Sequence, residues 1–127
     1  MKKNTKSKIL VVDDSSVNNL LFQAILEENG HSVLLTFNGN EALKIAIKEE
    51  PDLILLDIMM PGMSGFEILE KIVSDDKLKH IPVIMVTAKI DNTDKKKALE
   101  MGAVDYIVKP VDIDNTLERV EHALKHL

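Results

Sequence analysis

Residues 51–62 read Pro51-Asp52-Leu53-Ile54-Leu55-Leu56-Asp57-Ile58-Met59-Met60-Pro61-Gly62. The run Leu53–Leu56 carries no polar residue. It is too short for a helix, and proline and a Pro-Gly turn signal flank it. An aliphatic run of that kind is a strand covered on both faces, which implies a parallel sheet with helices above and below it. Runs of similar length recur on either side: Ile9–Val12, the less oily Val33–Thr36, Val83–Val86 after Pro82, and Val104–Val108.

Helical periodicity fills the gaps between these runs. Val17, Leu20, Leu21, Ala24, Ile25 and Glu28 follow the i, i+3, i+4, i+7 spacing of a first helix, which Asn29-Gly30 ends. Ala42, Leu43, Ile45, Ala46 and Ile47 predict a second helix, ending before Pro51. Phe66, Ile68, Leu69, Ile72 and Val73 predict a third. Ala98, Leu99 and Met101 follow a polar start at Asn92 and precede Gly102. Leu117, Val120, Ala123, Leu124 and Leu127 make the last. Strict β-α alternation means an α/β domain with right-handed crossovers. Five such units suit an open doubly wound sheet rather than a barrel of about 250 residues. The expected strand order, 2-1-3-4-5, is adopted from known doubly wound sheets of the flavodoxin kind. Residues 8–127 form the predicted domain, and residues 1–7 a flexible basic tail.

Composition narrows the function. The chain has 127 residues, no cysteine and a formal net charge of −5. Disulfides, thiolate metal sites and cysteine catalysis are excluded. The acidic balance argues against a general grip on nucleic acid, and aromatic residues at 3% with no tryptophan argue against base-stacking platforms. No apolar run approaches the roughly 20 residues that span a bilayer. Met1–Lys8 leads into only a short apolar run, unlike a secretory leader. The expectation is a cytoplasmic protein with no membrane insertion and no direct nucleic-acid contact. Lys2, Lys3, Lys6 and Lys8 are read as a solvated arm.

In open α/β sheets ligands bind beyond the carboxyl ends of the strands. The residues there are Asp13 and Asp14 after strand 1, Asp57 after strand 3, Thr87 and Ala88 after strand 4, and Lys109-Pro110 after strand 5. Strand 2, at the edge, offers only Thr36-Phe37. Clustered carboxylates repel one another unless neutralised, and a hard divalent cation such as Mg²⁺ neutralises them through oxygen ligands. Each residue also has a plainer reading: Asp13-Asp14 as a helix N-cap, Thr87 as a strand former, Lys109 as a salt-bridge partner. Together they suggest an aspartate nucleophile that attacks phosphorus, with Thr87 and Lys109 holding the incoming oxygens. No glycine-rich phosphate loop is present, so the phosphoryl donor is not a directly bound nucleotide.

Four segments carry a resemblance: Val11–Ser15, Pro51–Gly65, Ile81–Ala88 and Gly102–Pro110. Their order and content resemble the receiver domain of two-component response regulators, across residues 8–127. The resemblance implies Asp57 as phospho-acceptor for a sensor histidine kinase or histidine phosphotransfer protein. It implies Mg²⁺ held by Asp14 and Asp57, by Asp13 through water, and by the backbone carbonyl of Met59. It implies Thr87 and Lys109 as phosphate contacts and Thr87 with Tyr106 as the switch pair. The face made by helix 4, strand 5 and helix 5 would then control a downstream protein. Met59 and Lys89 would tune phosphate lifetime. Ser64 stands where many relatives carry Asp or another polar residue. Such a module promotes its own phosphorylation without being an enzyme. It is either free-standing or excised from a larger regulator or hybrid kinase.

Two other classes compete. A Mg²⁺-dependent phosphatase with an aspartate nucleophile needs a second Asp two residues on, where this chain has Met59. A flavin mononucleotide binder needs a Ser/Thr/Gly-rich loop after strand 1, where Asp13-Asp14 would repel the phosphate. The five units use the whole chain, so the expected output is a surface. Lys95-Lys96-Lys97, diluted by Asp91 and Asp94, is read as a solvated face.

Overall fold

A computed structural model describes residues 7–88 and 92–125. The tail at residues 1–6, Lys89, Asp91 and Leu127 lie outside the described residues. The elements run β1 (Lys8–Val12), α1 (Ser16–Glu28), β2 (Ser32–Thr36), α2 (Gly39–Glu49), β3 (Leu53–Asp57), α3 (Gly65–Ser74), β4 (Val83–Thr87), α4 (Asn92–Glu100), β5 (Asp105–Val108) and α5 (Ile113–Lys125). All strand pairs are parallel, in the order β2-β1-β3-β4-β5. The fold class is that read from the sequence, and the strand order is the one adopted from known doubly wound sheets.

Alternation along the strands divides the core into two layers. Leu10, Val12, Ile54, Leu56, Val83 and Met85 pack with α2, α3 and α4 residues such as Ala46, Ile68 and Ala98. Ile9, Val11, Leu53, Leu55, Ile84 and Val86 pack with Phe22 and Leu26 of α1 and Val120 of α5. β3 and β4 are buried along their whole length, whereas the edge strands β2 and β5 are mostly half-exposed.

Helix α1 departs from the periodicity. Its buried residues are Asn19, Phe22, Ile25 and Leu26. Of the stripe read from the sequence, Val17 is 65% exposed, Leu20 59% and Leu21 45%. Leu20-Leu21-Phe22 is a continuous apolar run, so a period of 3.6 fits either of two faces. Packing selects the face that buries the large Phe22 ring.

Candidate functional site

The sheet delivers the predicted residues to one end. Asp57 closes β3 and pairs with Val86 of β4, one residue before Thr87. Beyond β1 the chain continues into Asp13, whose N–H donates to the Thr36 carbonyl (3.2 Å). Beyond β5 it continues into Lys109, whose N–H donates to the Thr87 carbonyl (2.7 Å). The Lys109-Pro110 peptide is cis. Asp13 and Asp57 are buried and Asp14 is exposed; one carboxylate oxygen from each lies within 4.8 Å of the others. The Lys109 Nζ sits 3.2 Å from Asp13 Oδ2 and 3.5 Å from Asp57 Oδ1.

Local hydrogen bonds fix the two buried carboxylates. Asp13 Oδ1 accepts from the Ser15 N–H (2.9 Å), while Oδ2 has the Lys109 ammonium nearby but accepts no hydrogen bond. Asp57 Oδ1 accepts from the Met59 N–H (3.4 Å). Burial first, and the Asp13 charge second, push the Asp57 pKa from 3.8 up to about 6, against the opposing pull of Lys109. One ammonium faces three carboxylates, so the pocket carries unbalanced negative charge. That donor set, all oxygen and partly open to solvent through Asp14, fits Mg²⁺.

A pH dependence follows with a definite sign. Below about pH 6 a proton occupies Asp57 and competes with the cation. Mg²⁺ affinity should fall by about tenfold per pH unit below that point and level off above it. Titrating Mg²⁺ across pH 5–7.5 measures this; an affinity flat over that range would show that no protonation of Asp57 competes with the cation there.

The remaining predicted residues sit as follows. Thr87 is buried at the end of β4. Met59, two residues past Asp57, exposes 70% of its surface at the mouth. Tyr106 lies on the edge strand β5, paired with Met85 and half-buried. Ser15, not Asp13 or Asp14, is the N-cap of α1, accepting from the Asn18 N–H (3.3 Å). The acidic pair is thereby left to the pocket. Ser64 caps α3 in a reciprocal capping box with Glu67. An aspartate could fill the same N-cap position.

Sequence reading passed over two residues. Asn19 is fully buried, and its amide donates to the Asp13 carbonyl (3.0 Å) and the Thr36 carbonyl (3.3 Å). It ties the ends of β1 and β2 behind the acidic pair. With Asn18 beside it in the same helix, nothing local marks Asn19 as the buried one. Gly65 is the second: a Cβ there would meet the Asp57 carbonyl oxygen and stand 2.7 Å from Ile58 Cα. Only glycine lets α3 start that close to the end of β3.

Known proteins share this sequence pattern and fold. The family described as response regulator receiver domain matches residues 9–121. The chain belongs to the response regulator receiver family. Protein PilH of Pseudomonas aeruginosa is 41% identical to this receiver over 118 residues, 93% of this chain and 98% of that protein. The polar-differentiation response regulator DivK of Brucella anthropi is 38% identical over 116 residues, 91% and 94% of the two chains. The chemotaxis response regulator CheY4 of Vibrio cholerae superposes with a TM-score of 0.89 at 31% identity, covering 94% of this receiver and all of that chain. This is therefore a receiver of two-component systems, a signalling domain family that is itself generally non-enzymatic. Its acidic cluster is compatible with Mg²⁺. Among the described residues no helix is long and apolar enough to cross a membrane.

Proposed function

We propose that this receiver takes a phosphoryl group onto Asp57 from a phosphohistidine of a sensor histidine kinase or histidine phosphotransfer protein, and so switches a partner-binding face. The observation that carries the reading is the buried Asp57 carboxylate at the end of β3, beside Lys109 and within reach of two further carboxylates. In the transfer an Asp57 oxygen forms the new bond to phosphorus. The phosphorus–nitrogen bond of the donor breaks, and its electron pair returns to the imidazole. Bound Mg²⁺, held by Asp14, Asp57 and the Met59 carbonyl and by Asp13 through water, would neutralise charge on the transferred oxygens.

The chain's own groups do the rest. The Lys109 ammonium, already between Asp13 and Asp57, is placed to follow the charge onto a phosphoryl oxygen. The Thr87 hydroxyl, one strand away, donates to another. Val17, Leu20 and Leu21 leave an apolar face on the first turns of α1, which starts just past Asp14. That face suits docking of the phosphodonor protein next to the acidic mouth. The competing phosphatase reading lacks an acid two residues past Asp57, where Met59 stands. We place the protein in the cytoplasm, where such donors present their phosphohistidine.

Incubation with acetyl phosphate tests the reading. A mass gain of one phosphoryl group that requires Mg²⁺ and is lost in acid and in base supports it. No gain, or a gain indifferent to Mg²⁺, removes it. Tyr106→Ala should keep the mass gain yet blunt the response of a downstream partner. Partner affinity that still followed phosphorylation in that variant would take the switch role away from Tyr106.

A further inference from the structure

Tyr106 sits on the free edge strand β5, with its ring among side chains packed on the α2, α3 and α4 layer. Two cations converge on that ring from helices on opposite faces of the sheet. The Lys95 Nζ of α4 lies 4.3 Å from the ring centroid, and the Arg119 guanidinium carbon of α5 lies 5.1 Å from it. Arg119 is anchored by two further contacts. Arg119 Nη1 pairs with Asp105 Oδ1 at 2.6 Å, and its Nε donates to Asn115 Oδ1 at 3.0 Å. Asp105 Oδ1 also accepts from the Tyr106 N–H (2.8 Å). One carboxylate therefore fixes both the strand that carries the ring and the cation beside it.

The solvated face read for Lys95-Lys96-Lys97 is thus only part of the picture. Lys97 lies 4.3 Å from the Phe66 ring centroid, so two of these three lysines rest on aromatic rings. A cation within about 6 Å of an aromatic centroid is attracted by the ring quadrupole.

We propose that Lys95 and Arg119 clamp the Tyr106 ring in this placement, that a phosphoryl group on Asp57 must move the ring out of it, and that the clamp so sets how readily the signal reaches the outer face. The proposal rests on Asp57 as acceptor and Tyr106 as the moving ring, and deepens that reading by naming what opposes the movement. Both cations favour one of two placements. Removing either shifts the population towards the other and, by linkage, tightens binding of the phosphoryl group's mimic at Asp57 by at most the factor of that shift.

This receiver has a single tyrosine and no tryptophan, so one labelled ring reports the switch without assignment. Fluorotyrosine is incorporated into the full chain, and beryllofluoride is titrated in saturating Mg²⁺ while the fluorine resonance is followed. Lys95→Met keeps the length of the side chain and removes its charge. Its beryllofluoride midpoint should fall by about twofold to fivefold, the range expected for one partly exposed cation over a ring. Lys95→Arg should restore the wild-type midpoint. Arg119→Met should move the midpoint in the same direction as Lys95→Met. A wild-type midpoint in Lys95→Met, with the wild type still responding, overturns the clamp and leaves the acceptor reading intact. A wild-type ring that stays silent although acetyl phosphate adds its Mg²⁺-dependent phosphoryl mass overturns the clamp alone; silence together with no mass gain, or an equal response in Asp57→Asn, overturns the acceptor reading and the clamp with it.

Discussion

Asp57→Asn is expected to abolish labelling by acetyl phosphate or a cognate kinase. Asparagine keeps the shape of the side chain and loses the nucleophilic oxygen, so no bond to phosphorus can form. Labelling of the variant at the same peptide would refute the assignment. The same change should make the metal-free protein more stable at neutral pH. The folded-state pKa of Asp57 is raised, so folding favours the protonated, neutral form. Its ionised form therefore costs stability, a cost absent below about pH 4 and complete above about pH 6. By linkage the gain in the asparagine variant is on the order of 2–3 kcal/mol at pH 7 and vanishes towards pH 4. Thermal melts in chelator at several pH values measure it. A variant less stable than wild type at neutral pH would mean that Lys109 outweighs burial and the Asp13 charge.

The second large effect is expected at Gly65. In Gly65→Ala the added methyl runs into backbone, the Asp57 carbonyl and Ile58 Cα, and no rotamer change relieves it. The Gly65 N–H also donates to the Ile58 carbonyl (2.9 Å), so the two segments cannot separate without losing that bond. The expected cost is about 2–4 kcal/mol of stability. Mg²⁺ binding should weaken as well, because the crowded carbonyl belongs to Asp57, one of the three carboxylates that could hold the cation. Gly62 is the control. Its φ is +85° with open space around a Cβ, so Gly62→Ala costs only about 1–2 kcal/mol of backbone strain. Comparing denaturant midpoints and Mg²⁺ affinities of the two variants separates crowding from strain. Equal effects in both would show that the approach of α3 to β3 is not what Gly65 protects.

How much was legible follows from how each residue is constrained. β3 was legible because a strand covered on both faces admits no polar residue, and Leu53–Leu56 has none. Asp57 stood out because it ends that run. Helix α3 was legible because Ile68, Leu69 and Ile72 fall on a single face, and all three are buried. Helix α1 was legible as a helix but its buried face was not, because its apolar run supports two phases and only the neighbouring strands choose between them. Asn19 escaped notice for the same reason. Its value lies in reaching the Asp13 and Thr36 carbonyls, atoms with no sequence signature. Lys95 read as one solvated lysine among three, since nothing local says that a ring of β5 lies beneath it.

The sequence by itself determined the class of fold and the polar residues that end the strands at one end of the sheet, Asp13, Asp57, Thr87 and Lys109. These follow from short-range rules: period, strand length and the residue that follows each apolar run. The switch candidate Tyr106, inside β5, was named only through the resemblance to receiver domains. Tertiary structure alone decided which face of α1 is buried, how closely α3 approaches Asp57, and which cations meet Tyr106. Each of these depends on atoms far apart in the chain brought to within a few ångströms, and a linear pattern carries no record of that distance.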